Sequence, residues 1–204
     1  MMLKKKKNLP CSKYMDTFDY ILIGDAEVGK TSLLNRFCYD FYSSYKKKKK
    51  RPEIFTISTI NDNREFKLQF WDLPMNDSNI EDYKKILQKA DGIIFVCSYN
   101  KKESLKRILI WNKLLSSHID MTKKNTTIFV NKNDLEYDVE IPEDDIKRTS
   151  NEINTDHYSM SAKTGKWVKK AFGGFAFRTI CKAYSDISPS SNGQKANPNN
   201  CYIF

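Results

Sequence analysis

Apolar residues recur along the chain with two different periods. Runs of four to six, bounded by turn-forming residues, appear in "YILIG", "GIIFVCSY" and "TTIFVNK". Between them, "SLLNRFCYDF", "ESLKRILIWNKLLSSHI" and "WVKKAFGGFAFRTICKAY" carry apolar positions at spacings of three and four. The short runs read as parallel strands buried on both faces and the longer segments as the helices that cover them. "EIFTISTI" and "EFKLQFWD", joined through Asn61, Asp62 and Asn63, alternate with period two and predict an antiparallel hairpin at a sheet edge. With "IEDYKKILQKA", "DDIKRTSNEI" and "HYSMSA" completing the alternation, the pattern predicts an α/β fold. Its sheet is six-stranded and mostly parallel, with one antiparallel edge strand and helices on both faces.

The pattern holds over residues 17–184. Residues 1–16 are basic and without periodicity, a flexible arm, and residues 185–204 shift to Ser, Pro, Asn, Gly and Gln, a tail too polar to fold alone. A length of 204 residues suits one domain, and 40% hydrophobic with 13% aromatic residues excludes wholesale disorder. Thirty-five Lys and Arg against twenty-five Asp and Glu leave a formal charge of +10, which favours nucleotide, acidic lipid or nucleic acid as partner. The five cysteines are scattered, with no C-x-x-C pair, so neither a zinc site nor a disulfide framework is expected and a reducing compartment fits. No run approaches the roughly 20 apolar residues of a membrane span, and "MMLKKKKNLP" lacks the apolar core of a signal peptide. The chain is expected on the cytosolic side.

The first strand runs into "GDAEVGKTS" (Gly24, Asp25, Ala26, Glu27, Val28, Gly29, Lys30, Thr31, Ser32), and a helix follows at once. This is a phosphate-binding loop in its required strand–loop–helix context. Backbone N–H groups wrap phosphate at the helix N-terminus, Lys30 reaches the β- and γ-phosphates, and the Thr31 hydroxyl can ligate Mg²⁺. Glu27, repulsive toward a polyphosphate, is expected to face solvent. Downstream, Asn131, Lys132 and Asp134 leave the end of a strand, and Ser161, Ala162 and Lys163 follow another. An Asp carboxylate can accept both the N1–H and the N2–H₂ of guanine, a pairing adenine cannot offer. The stems of Lys132 and Lys163 can flank the base, and the Ala162 N–H can meet O6. Either tetrapeptide alone would be an ordinary loop in an Asn/Lys-rich chain; both, in order after a phosphate loop, point to guanine.

With "GDAEVGKTS", "LQFWD", "ADGIIFV", a Trp111-containing helix, "NKNDL" and "SAK" in this order, the chain resembles the Ras-superfamily small GTPases, and among them the Rab-like proteins, over about residues 18–184. The resemblance implies the P-loop NTPase fold of a small GTPase domain, GTP/GDP with Mg²⁺, two nucleotide-sensing switch loops, exchange factor and effector partners, and a role in vesicle-mediated membrane traffic. It puts Tyr42, twelve residues beyond Lys30, over the guanine ring, where core packing is the other reading. It gives Asp72 an indirect contact to Mg²⁺.

Both switch loops depart from the family. Forty-two residues separate Lys30 from Asp72, close to the family's ungapped spacing. On that register Lys49 stands where the family has its metal-binding threonine. A gapped register would give the role to Thr56 but would shorten the hairpin. The run at residues 46–51, which in isolation suggests a nuclear address or a nucleic-acid tail, then lies in switch I. Without interleaved aromatics it does not carry a nucleic-acid reading. In switch II the family's D-T-A-G-Q reads Asp72-Leu73-Pro74-Met75-Asn76. Asn76 replaces the glutamine that orients the attacking water and is one methylene shorter, so GTPase activity is expected to be weak or partner-dependent. Cys201-Tyr202-Ile203-Phe204 fits C-a-a-X with a terminal Phe, the pattern of a geranylgeranylated cysteine recognised by a prenyltransferase. One prenyl chain anchors reversibly, and Lys4 to Lys7 with Cys11 are the candidates for a second signal at a cytoplasmic membrane face. The alternative is a constitutive membrane-anchored interaction module, a pseudo-GTPase in which switch I lysines take the place of Mg²⁺.

Overall fold

The computed structural model describes residues 16–45, 51–61, 64–135, 137–185 and 202–203. Strand β1 (Asp16–Ile23) occupies the middle of the sheet, flanked by β3 (Arg64–Asp72) and β4 (Gly92–Ser98). Beyond β4 lie β5 (Asn125–Asn131) and β6 (Asp156–Ser159), all parallel; beyond β3, β2 (Glu53–Asn61) runs antiparallel. The expected six-stranded sheet is present.

Successive residues of the central strands serve opposite faces. Phe18, Tyr20 and Leu22 of β1, Ile94 and Val96 of β4 and Phe129 of β5 pack in one core with helices α1 (Lys30–Tyr39) and α5 (Val168–Ser185). Ile21 and Ile23, Ile93, Phe95 and Cys97, and Ile128 and Val130 pack in the other, beneath α2 (Lys84–Lys89), α3 (Lys102–Ser116) and α4 (Glu143–Glu152). Period-two strands buried on both sides are what the uninterrupted apolar runs require. An aromatic cluster closes the first core, with the Phe172 ring stacked on Phe37 at 4.4 Å and edge-on to Phe70 and Phe129 at 5.4 and 4.8 Å.

The β2–β3 ladder runs unbroken from Glu53 opposite Asp72 to Asn61 opposite Arg64. Phe55 and Thr59 are buried with Ile57 partly so, the alternation expected of an edge strand. The turn residues Asp62 and Asn63 lie outside the described residues. Three features differ from the sequence reading. The helix read from "IEDYKKILQKA" is split, a 3₁₀ turn over Ile80–Tyr83 preceding α2. Asp16 and Ser185 belong to β1 and α5, one residue beyond each domain limit. In the tail, the Tyr202–Ile203 backbone forms β7, antiparallel to Thr59 and Ile60 of β2, because an edge strand offers unpaired N–H and C=O groups.

Phe172 is fully buried and meets three other rings. Phe172→Ala is expected to cost about 3–5 kcal/mol of unfolding free energy, read as a lower urea midpoint at unchanged slope.

Candidate functional site

β1 delivers the chain into the phosphate loop between Ile23 and Lys30. Two glycines make the loop possible. A Cβ on Gly24 would stand 2.1 Å from the Val96 carbonyl oxygen, and one on Gly29, at φ 99°, 2.2 Å from Asn131 Nδ2. Only a residue without a side chain lets the backbone lie that close to β4 and β5. Val28 is buried, whereas Ala26 and Glu27 are exposed, so the loop turns its acidic side chain outward. Lys30 Nζ donates to the carbonyls of Gly24 at 2.6 Å and Asp25 at 2.8 Å, which holds the ammonium across the loop mouth. Thr31 Oγ1 donates to Asp72 Oδ2 at 2.5 Å, joining the start of α1 to the end of β3.

Asn131, 2% exposed at the end of β5, connects the phosphate loop to the segment that carries Ala162. Its Nδ2 donates to the Val28 carbonyl at 2.9 Å and its Oδ1 accepts from the Ala162 N–H at 3.0 Å. Ser161 Oγ donates to Asp134 Oδ1 at 2.5 Å and accepts from the Thr164 N–H at 3.1 Å. Asp134 Oδ2 lies 3.9 Å from Lys163 Nζ, and Lys132, at φ 67°, donates from Nζ to Asn100 Oδ1. The six residues read from the two tetrapeptides are thus brought together. The Ala162 N–H proposed for guanine O6 is engaged by Asn131, so a base oxygen would share that donor.

Sequence reasoning missed Arg36. From the last turn of α1 its Nε donates to the Ala162 carbonyl and its Nη2 to the Lys163 carbonyl, each at 2.9 Å, while Nη1 bonds Asp40. The available signal was an Arg–Asp pair at i, i+4 where α1 ends. Tyr42 is half-buried against the α1/α5 core. Thr56 is exposed and sits inside β2 opposite Gln69, three pairs away from Asp72. Lys49, Cys201, Cys11 and Lys4 to Lys7 lie outside the described residues.

Switch II is closed on itself. Asn76 Oδ1 accepts from the Ser78 and Asn79 N–H groups at 3.0 and 3.1 Å and from Ser78 Oγ at 2.8 Å. Asn79 Oδ1 accepts from the Asn76 N–H at 2.7 Å, and Asn79 Nδ2 donates to the Pro74 carbonyl. The carboxamide expected to orient water therefore caps its own loop.

The donor set fits a nucleotide and its metal. Asn133 Oδ1, buried beside Asp134, has no hydrogen-bond partner among the described residues, and the two glycines let the phosphate-loop backbone lie against Val96 and Asn131 where any Cβ would collide. Thr31 and Asp72 supply hard oxygen donors, of the kind Mg²⁺ takes alongside water and phosphate. No cluster of three or more His, Cys, Asp or Glu forms another metal site among the described residues. Burial pushes the Cys38 thiol up to about 12 and raises the Cys97 thiol as well, so neither of these two is a nucleophile at neutral pH.

The family model described as the Ras family matches residues 19–181. The chain is 26% identical over 185 residues to "Ras-related protein RABA4b" of Arabidopsis thaliana, covering 90% of this chain and 80% of that one. It is 29% identical over 157 residues to the human "EF-hand calcium-binding domain-containing protein 4B", where the match spans 76% of this chain and 21% of the human protein.

Asn131→Ala removes a donor and an acceptor together, leaving the Val28 carbonyl and the Ala162 N–H unpaired. The nucleotide-free protein is expected to lose about 2–4 kcal/mol of stability by chemical denaturation.

Proposed function

The chain belongs to the Ras family and is a Rab-like small GTPase, and from that premise we propose a GTP/GDP-binding protein of vesicle-mediated membrane traffic whose own GTP hydrolysis is impaired. The observation that carries the reading is the Asn131 bridge. It makes the phosphate loop and the Asp134–Ser161–Ala162 pocket one rigid unit, with the acidic group that reads guanine already oriented. A fixed distance between base reader and phosphate reader is what nucleotide selection needs, because binding then carries no cost for ordering two loops.

In this reading Asp134 accepts the N1–H and N2–H₂ of guanine with its two oxygens while Ser161 donates to the second lone pair of Oδ1. Lys132 and Lys163 flank the base, and Lys30 leaves the loop carbonyls for the β- and γ-phosphates. Mg²⁺ held by Thr31 and Asp72 would neutralise phosphate charge. Asn76 would have to surrender its bonds to Ser78 and Asn79 before it could orient a water molecule, which supports slow hydrolysis. The same observation favours the second reading, a membrane-anchored interaction module that binds nucleotide without cycling. Geranylgeranylation of Cys201 by a prenyltransferase, anchoring at a cytoplasmic membrane face, and recognition by an exchange factor and effectors complete the proposal. Among the described residues no helix is long and apolar enough to cross a membrane.

Purified protein is expected to bind GDP and GTP at least about 100-fold more tightly than ATP, and Asp134→Asn to weaken GDP binding by about 10–100-fold, since a charged hydrogen-bond partner is lost. Equal affinity for ATP in a competition titration would sink the proposal. Single-turnover hydrolysis is expected below about 10⁻⁵ s⁻¹, some 100-fold under the intrinsic rate of a glutamine-bearing GTPase. A rate at or above about 10⁻⁴ s⁻¹ would refute the impairment.

A further inference from the structure

Asp25 of the phosphate loop and Asp77 of switch II converge on one cation that no sequence motif announces. Arg107, on α3, donates from Nε to Asp25 Oδ1 at 3.1 Å and from Nη2 to Asp77 Oδ1 at 2.5 Å. Asp25 belongs to the phosphate loop and Asp77 to switch II, so the planar fork of one guanidinium spans both. Trp111, one turn further along α3 and 2% exposed, donates from Nε1 to the same Asp25 oxygen at 3.4 Å, and its ring lies 5.5 Å from the guanidinium carbon. The bland reading is a surface ion pair of little weight. Asp77 is half exposed, but the Asp25 and Arg107 side chains are only 17% and 29% exposed, and the guanidinium lies beside the buried Trp111 indole, which fixes the cation from which Asp77 is held.

The loop that Arg107 holds is otherwise pinned by the protein alone. Leu73 and Ile80 are buried at its two ends, Met75 packs against the core under α2 and α3, and Asn76 and Asn79 bond each other. A γ-phosphate orders a switch loop only where the loop makes contacts with it that are absent in the other state, and a ligand without such differential contacts shifts no equilibrium.

We propose that Arg107 is a positioning residue that ties switch II to the phosphate loop, so that residues 73–80 keep one arrangement with GDP and with GTP. The inference deepens the nucleotide-binding reading and rests on it for the comparison of the two loaded states. A partner that docks on switch II would then meet the same surface in both.

Amide hydrogen exchange of residues 73–80 in the full chain tests this, in the nucleotide-free protein and in protein loaded with GDP or a non-hydrolysable GTP analogue. Wild-type rates are expected to agree within about twofold between the two loaded states. Arg107→Ala and Asp77→Asn are each expected to raise exchange of the nucleotide-free loop by roughly 1.5-fold to fivefold, the range for loss of one such pair, with exchange in β5 and α5 unchanged. Arg107→Ala should also make exchange depend on which nucleotide is bound, and Arg107→Lys, a point charge unable to span two carboxylates, should restore protection only partly. A wild-type loop whose exchange differs more than tenfold between GDP and the analogue overturns the proposal. So does unaltered loop exchange in both Asp77→Asn and Arg107→Ala; if Arg107→Ala does not fold, Asp77→Asn decides. Failure to bind either nucleotide defeats the reading of the previous subsection, and the nucleotide-free comparison then still decides the tether.

Discussion

One buried carboxamide sets the geometry of everything at the top of this sheet. Asn131 leaves β5 with its amide nitrogen on the Val28 carbonyl and its oxygen on the Ala162 N–H, so three loops far apart in sequence share two hydrogen bonds. The side chain is fully enclosed, and breaking either bond would strand a backbone group where water cannot replace the partner. It also dictates its neighbours. Gly29 has no room for a Cβ because the Asn131 amide occupies that space, and Ser161 can reach Asp134 because the segment carrying it is held against β5.

Around this hub the phosphate loop and the segments carrying Asp134 and Ala162 are held together by hydrogen bonds, while switch II is bonded largely to itself. Switch II spends its polar side chains on itself and on Arg107. A loop satisfied by its own hydrogen bonds has little to gain from a new acceptor, and this is how the sequence at Pro74, Met75 and Asn76 bears on the proposed loss of switching. The two departures act in one direction. Replacing glutamine by asparagine removes reach toward the water, and engaging the shorter side chain locally removes its availability.

Arg36 and Arg107 show how cations work in a chain carrying +10. Both lie on helices, and both use the guanidinium fork to join loops that the sheet merely brings near each other. Arg36 holds the carbonyls of Ala162 and Lys163, and Arg107 holds Asp25 and Asp77. A lysine in either place would supply charge without the second directed bond.

The order of strands and helices, the two-sided burial of β1, β4 and β5 and the strand–loop–helix setting of the phosphate loop were legible in the amino-acid sequence. Each depends on short-range periodicity or on residue types at fixed local spacing, and the contacts of Phe129 and Val130 with opposite cores follow from alternation alone. The register of β2 was half legible: alternation placed Phe55 and Thr59 inward, but only the ladder puts Glu53 opposite Asp72 and Thr56 well inside the strand. What the tertiary structure decided is which side chains meet across long separations. Asn131 looked like one residue of a local motif and proves to be the joint between loops, Arg36 and Arg107 carried no motif, and Asn76 occupied a catalytic position yet caps a turn. Asn76 caps its turn through bonds to the nearby Ser78 and Asn79, whereas the roles of Asn131, Arg36 and Arg107 arise from directed hydrogen bonds between groups 30 to more than 100 residues apart. Their geometry exists only once the sheet has brought the chain together, so no local pattern can encode it.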